Sequence, residues 1–304
     1  MNADPQARLR QFQAKHGFFV GVDSDGCAFD TMEVKHKDCF CPMTVKHWGL
    51  AAVARYAREA WDFVNLYSKT RGCNRFLALL HVLDRLGERP EVQARGVEVP
   101  RADGLRGWVR RETKLGNPAL EAEARRTGDG DLARALAWSR DINRQVAEIV
   151  RNVPPFPCVR ESLAKLSADA DIICVSATPG EALEREWAEH DMARYTSIIA
   201  GQEMGSKQEH LQLAAGGKYP ADRMLMIGDA PGDVEAASAV GALCYPINPG
   251  HEEASWKRFL DEACDRFLSG TYAGKYQAAL ISEFDEHLPD TPPWKAGAGK
   301  TGRR

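Results

Sequence analysis

The segment Asp23-Ser24-Asp25-Gly26 places two carboxylates two positions apart, directly after the apolar run Phe18-Phe19-Val20-Gly21-Val22. Paired anions at such a point are costly unless something positive neutralises them, and a hard, oxygen-seeking ion such as Mg2+ is the economical partner. A polar turn after a strand would use the same residues, so this segment alone does not decide. A second segment, Met226-Ile227-Gly228-Asp229-Ala230-Pro231-Gly232-Asp233, carries two further carboxylates four apart after another apolar run, with glycines that permit a tight turn. Asp233 also suits the N-cap of a helix beginning at Val234. Ser176-Ala177-Thr178 follows Val175 at the end of a third run and offers a hydroxyl and backbone N–H groups to a phosphate oxygen. Lys207, shortly after a fourth run, supplies the compact positive charge that an acid-rich phosphate site requires. In isolation the serine would read as a cap and the lysine as a surface residue.

These residues need elements to bring them together. Beside the first run lie Asp171 to Val175, Ser197 to Ala200, Met224 to Ile227 and Ala242 to Tyr245, short and uninterrupted as in strands buried on both faces of a parallel sheet. Helical stretches alternate with them: Arg160 to Leu166, Gly180 to His190, Lys207 to Ala215 and Asp233 to Val240. That alternation predicts a doubly wound α/β domain, with its ligand site at the carboxyl edge of the strands. Asp23, Asp25, Asp229 and Asp233 then converge on one ion. From about Met43 to Val150 the pattern is helical alone, with Val45, Trp48, Ala52, Tyr56, Ala60, Phe63 and Tyr67 on one face, predicting an all-helical bundle inserted after the first strand. Gly116-Asn117-Pro118 and Gly128-Asp129-Gly130 are turns inside it, and Pro154, Pro155 and Pro157 make a stiff hinge back to the sheet. Two amphipathic segments, His251 to Leu268 and Tyr272 to Leu288, could cover the core or make a dimer contact, so a monomer and a homodimer are both open.

The 304 residues are 44% hydrophobic and 27% charged, enough for one large domain or two ordinary ones and far from a disordered composition. Forty Lys and Arg against 43 Asp and Glu give a net charge of -3, so no overall excess of positive charge points to nucleic acid or a membrane surface. The first residues lack the apolar stretch of a secretory signal, and no run is long enough to span a bilayer. Eight scattered cysteines suit free thiols in a reducing cytoplasm.

The four chemical segments resemble the motifs of the haloacid dehalogenase-like superfamily, in that family's order: Asp23-Ser24-Asp25-Gly26-Cys27-Ala28-Phe29-Asp30-Thr31, then Ser176, then Lys207, then Gly228-Asp229 through Asp233. The resemblance implies a Rossmann-like catalytic core over 17–31 and 155–250 and a helical cap of the family's first type over 32–154; the amphipathic pattern adds a C-terminal helical extension over 251–288, and the Pro, Gly and Lys-rich composition of 289–304 predicts a disordered tail. Its first motif and cap look most like the β-phosphoglucomutase and phosphoglycolate phosphatase group. It implies that Asp23 attacks phosphorus to form an aspartyl phosphate, while Asp25 protonates the leaving oxygen and then activates water. Mg2+ would be held by Asp23, the main-chain carbonyl of Asp25, Asp229 and Asp233, the last through water or by fixing the loop. Ser176, Ala177 and Lys207 would bind the phosphoryl oxygens. Asp25 argues against the dehalogenase and phosphonatase branches, which need no acid there. The implied activity is a cytoplasmic Mg2+-dependent phosphatase of a small phosphorylated metabolite; a phosphomutase and a non-catalytic metal-binding or regulatory protein are the alternatives.

In the mutase-like group an arginine at the start of a cap helix meets the substrate's distal group, and Gly72-Cys73-Asn74-Arg75 has that shape. Lys46, Lys69 and Arg71 are further candidates, whereas the arginines of Arg101 to Arg126 alternate with Glu and Gly as on a solvated face. His36, Cys39, Cys41 and His47 could hold a soft metal such as zinc, though Cys39 and Cys41 are separated by one residue instead of the two or more of the common fingers. Cys27, two past Asp25, could be sensitive to oxidation or simply pack. Gly299-Lys300-Thr301 looks like the end of a nucleotide-binding loop, but Trp294 stands in the place of its first glycine.

Overall fold

The computed structural model describes residues 4–296. Five strands, β1 (Phe18–Val22), β2 (Ala170–Val175), β3 (Ile198–Ala200), β4 (Met224–Gly228) and β5 (Leu243–Pro246), form one all-parallel sheet in the order β3-β2-β1-β4-β5. The chain is thus a doubly wound α/β fold with an inserted all-helical unit, and the strand order reverses beside β1, where such sheets open a crevice at their carboxyl edge. All six residues of β2 and all five of β4 are buried, which is why these segments read as continuous apolar runs instead of alternating ones. The pleat sends Val20 and Val22 into one core layer and Phe19 into the other. Gly21 lies at the centre of β1, where a Cβ would meet Leu211 Cδ2 at 2.8 Å and the Met226 sulfur at 3.1 Å, so only glycine lets the helix on that face come so close.

Helices Val159–Leu166 and Gly180–Glu189 bury Leu163, Leu166, Leu183 and Trp187 on one face of the sheet. Lys207–Ala215 and Pro231–Ala239 bury Leu211, Ala214, Ala236 and Ala237 on the other. The C-terminal segments belong to this same core. Glu252–Arg258, a wider helical turn at Phe259–Ala263 and Cys264–Leu268 bring Trp256, Phe259 and Phe267 into the first layer, and Tyr272 is fully buried there too. Residues before β1 also join, since Leu9 and Phe12 pack in the second layer and the backbone N–H groups of Lys15 and His16 donate to Asp171 Oδ2 at 2.8 Å each.

The chain divides into two compact units, the first being the residues through Met32 with Asn152–Leu288, the second Glu33–Arg151 with the residues from Pro289 onward. The helical unit contains Ala54–Asn65, Arg75–Gly87, Asp103–Arg111, Asn117–Thr127 and Gly130–Ile149, around buried Trp48, Trp61, Trp108 and Trp138. Gly128 in the left-handed region ends one helix, and the Asp129 side chain caps the next by accepting from Asp131 N and Leu132 N. Of the end expected to be disordered over 289–304, Pro293–Ala296 makes a helical turn, and residues 297–304 lie outside the described residues. Trp294 lies over the guanidinium of Arg89 at 4.5 Å and meets Phe63 edge-on at 5.6 Å, while Lys295 pairs with Glu88 at 2.5 Å. Composition favoured disorder there, but one large aromatic ring with a waiting cation outweighs it. Gly299-Lys300-Thr301 lies outside the described residues. No helix among the described residues is long and apolar enough to cross a membrane.

Candidate active site

β1 and β4 are neighbours with Val22 opposite Ile227, and the ladder continues one step as Asp23 N donates to Ile227 O at 2.9 Å. This register delivers Asp23 and, just past β4, Asp229 to the same edge of the sheet. The helix after β4 begins at Pro231, as suits a residue with fixed φ and no N–H to lose. Asp233 is therefore the third helical residue and not the N-cap expected from its spacing; its Oδ2 accepts from Ala230 N at 3.1 Å and its Oδ1 is turned to the site. Gly228 permits this, because a Cβ there would lie 2.2 Å from the Asp233 carboxyl carbon. Asp23, Asp229 and Asp233 are all buried, with ligand oxygens within 4.8 Å of one another.

Lys207 opens the helix after β3, anchored by Ser206, whose Oγ accepts from Glu209 N at 3.3 Å while Glu209 accepts from Ser206 N at 2.7 Å. Its ammonium donates to Asp23 Oδ2 and Asp233 Oδ1, each at 2.6 Å. Burial raises the Asp23 carboxyl's pKa well above its ordinary value, with Lys207 opposing and Asp233 and Asp229 adding to the rise. Burial works against the Lys207 charge, but Asp23, Asp233 and Asp229 outweigh it and hold its pKa well above the usual lysine value. Three buried carboxylates against one ammonium leave an excess of negative charge that a divalent cation matches, and an all-oxygen donor set is what Mg2+ prefers.

The Asp25 carboxylate does not join that group. Thr31 donates to its Oδ1 at 2.6 Å and Thr178 to its Oδ2 at 2.7 Å, so a Thr on either side of the loop grips the side chain. Of the four carboxylates expected to converge on one ion, Asp23, Asp229 and Asp233 lie within ligand spacing of one another among the described residues. Ser176 follows β2 and is buried; its Oγ accepts from Thr178 N at 3.2 Å, and Ala177 is exposed beside it. Thr31 and Thr178 stand inside the motif segments, but their residue types alone give no signal of this grip. Glu186 and Trp187, which meet the Ser24 hydroxyl at 2.8 and 3.0 Å, had no signal in the sequence.

Cys27 packs, its Sγ 3.5 Å from Ile227 O, and burial with the nearby Asp229 and Asp23 pushes its pKa well up, so the thiol stays protonated. The reading of His36, Cys39, Cys41 and His47 as a soft-metal site gains no support from their surroundings. The Trp61 indole N–H donates to His36 Nδ1 at 3.2 Å, His47 Nε2 pairs with Asp141 at 2.8 Å, and burial lifts Cys39 to about 11 and Cys41 to about 12. Among the described residues only the aspartate trio has the spacing of a metal site. In the helical unit, Arg75 donates to Ser139 Oγ at 3.1 Å and Asn143 Oδ1 at 2.7 Å and lies 5.1 Å from the Phe40 ring, all uncharged partners, and burial pulls its pKa to about 10. Lys46 pairs with Asp141 at 3.2 Å, and Arg71 is buried against Leu66 O at 2.8 Å. Lys69 lies with Ser68, Thr70 and His81 beside a small recess of the helical unit.

No protein-family model matches the sequence, and no curated protein matches it. Solved structures do resemble it. A haloacid dehalogenase-like family protein from Streptococcus pneumoniae is 14% identical, with a TM-score of 0.44 over 80% of this chain and 90% of that one. An inferred phosphoglycolate phosphatase from Lactobacillus delbrueckii subsp. bulgaricus is 14% identical, with a TM-score of 0.49 over 89% and 99% of the two chains. A haloacid dehalogenase-like hydrolase from Xanthomonas campestris is 15% identical, with a TM-score of 0.41 over 78% and 84%.

Proposed function

We propose that this chain is a Mg2+-dependent phosphatase of a small phosphorylated metabolite, of the haloacid dehalogenase type, working through an aspartyl phosphate. The observation that carries the reading is the buried group of Asp23, Asp229, Asp233 and Lys207 at the carboxyl edge of the sheet, with Asp25 gripped separately two residues from Asp23. A merely structural cluster would not need a second carboxylate held apart from the first.

Asp23 is the nucleophile. Its Oδ1 accepts from Ser24 N at 2.7 Å and its Oδ2 from Lys207, so the carboxylate is oriented before substrate arrives. Attack on phosphorus forms the Asp23–phosphoryl bond and breaks the bond to the leaving oxygen, which takes its proton from Asp25. In the second half Asp25 accepts a proton from water as that water displaces the aspartate. The two threonine hydroxyls beside Asp25 can each turn from donor to acceptor, so its position survives both protonation states. Ser176 Oγ, the Ala177 backbone and the Lys207 ammonium take the phosphoryl oxygens. Asp23, Asp229 and Asp233, with the main-chain oxygen of Asp25, would hold Mg2+, which when bound neutralises the anions that repel phosphate. Arg75 of the helical unit, its charge unmatched by any carboxylate among the described residues, is the group proposed for the substrate's distal end. Eight free cysteines accord with a reducing cytoplasm.

The test is Mg2+-dependent phosphate release across sugar phosphates, phosphoglycolate, nucleotides and phosphoamino acids, with Asp23→Asn alongside. Release that the substitution abolishes supports the proposal; release that survives it in pure protein sinks Asp23 as nucleophile.

A further inference from the structure

Ser24 is completely buried between the two proposed reactive carboxylates, and nothing in the chemistry above uses its hydroxyl. A hydroxyl without access to water is costly unless it both donates and accepts. This one does both: Ser24 Oγ donates to Glu186 Oε2 at 2.8 Å and accepts from Trp187 Nε1 at 3.0 Å. Both partners lie on the helix Gly180–Glu189, which packs under the loop, and Trp187 is itself fully buried and edge-on to Phe29 at 5.6 Å. The backbone of the same serine is the pivot of the loop. Its N–H donates to Asp23 Oδ1 at 2.7 Å, and its carbonyl accepts from the N–H groups of Cys27, Ala28 and Phe29 at 3.3, 3.0 and 3.0 Å. Any shift of residue 24 therefore moves the hydrogen bond that orients Asp23. An alanine would fill the space, so packing alone does not call for the hydroxyl or for a carboxylate beneath it.

We infer that Glu186 and Trp187 are positioning residues, which hold the nucleophile loop in register through the Ser24 hydroxyl. The inference rests on the phosphatase reading of Asp23. Misplacement of a reacting group by a fraction of an ångström is enough to cost rate without costing binding. Ser24→Ala and Glu186→Ala should each lower kcat about tenfold with KM within twofold of the parent. Glu186→Gln, which keeps an acceptor oxygen, should recover most of the loss. Because the two residues act through one bond, the double variant should be no slower than the worse single one. Trp187→Phe keeps an aromatic ring against Phe29 but removes the N–H together with part of the buried indole, and serves where Glu186→Ala folds poorly.

The same proteins are titrated with Mg2+ by calorimetry, with Asp23→Asn as reference. A displaced Asp23 should weaken Mg2+ binding several-fold in Ser24→Ala and Glu186→Ala but not in Glu186→Gln. Unchanged kcat and Mg2+ affinity in both alanine variants would overturn the inference, as would a glutamine variant no better than the alanine one. Should the parent release no phosphate from any compound, the phosphatase reading fails on its own, and the Mg2+ titrations still decide whether Ser24 positions Asp23.

Discussion

Removing the Lys207 ammonium while keeping its length and apolar stem, as Lys207→Met does, exposes the electrostatics of the site. In the folded protein this group sits 2.6 Å from two carboxylates, one of them completely buried. Without it, three buried carboxylates face one another within 4.8 Å, and each pair of unit charges at that distance repels by about 3.5 kcal/mol at an effective dielectric of ~20. Breaking a buried ion pair from one side typically costs about 3 to 5 kcal/mol, so that is the expected loss in metal-free protein at pH 8. The loss must depend on pH with a definite sign. The Asp23 pKa is already raised in the folded state and climbs further without its cation. A carboxyl whose folded pKa lies above its unfolded value costs stability as pH rises from the unfolded value through the folded one. The deficit should therefore be small near pH 4 and grow toward pH 8, and Mg2+ should recover more stability in the variant than in the parent. Urea denaturation with a chelator and with Mg2+, at pH 5 and pH 8, reads all of this. A variant as stable as the parent at pH 8 with chelator present, or a deficit that shrinks as pH rises, would refute the placement of Lys207 as the counter-charge of the aspartates.

Asp25→Asn should cut phosphate release by about 10²- to 10⁴-fold, the usual reach of a general acid and base, while Mg2+ affinity measured by calorimetry stays within about threefold, since its carboxylate is held by Thr31 and Thr178 outside the aspartate group. A large loss of Mg2+ affinity would place that carboxylate on the metal. Trp294→Ala removes the ring over Arg89 and the edge contact with Phe63, and should destabilise the helical unit by about 1 to 3 kcal/mol in urea denaturation. No change in the midpoint would mean that the C-terminal turn does not bind there in solution. Thiol labelling of native protein at pH 7 should modify Cys73 and Cys158 first, the two partly exposed cysteines, and leave the six buried ones to react only on unfolding. Rapid labelling of Cys39 and Cys41 that zinc blocks would revive the soft-metal site.

The sheet and its candidate site were legible because buried parallel strands read as apolar runs, and three of these runs ended on a residue proposed for the chemistry: Asp23 after Val22, Ser176 after Val175, Asp229 after Gly228. Strand bounds moved by a residue or so, as with β2 starting at Ala170 and β5 ending at Pro246. The grip on Asp25 was less legible, because Thr31 and Thr178 come from different strand ends and meet only through the sheet's register. The Ser24 contacts depend on how one helix packs beneath a loop, and no spacing in the sequence encodes that. Asp233 was misplaced by three positions because its value as a cap concealed Pro231, the stronger start signal. Amphipathicity showed that 251–288 had an apolar face but not what covered it; Trp256 and Tyr272 turn that face to the sheet. Spacing alone left the His36 to His47 segment open to a soft metal; in the fold Cys39 and Cys41 are buried, His36 meets Trp61 and His47 meets Asp141.

The most direct measurement is of the covalent intermediate. Protein mixed with the best substrate of the panel and Mg2+ is quenched in acid within the first turnover, digested, and the phosphoryl group located by mass spectrometry. A phosphoryl group on Asp23, absent from Asp23→Asn and slower to disappear in Asp25→Asn, is the expected result. Turnover with the phosphoryl group on another residue, or with none on the protein at any quench time, would contradict Asp23 as the nucleophile.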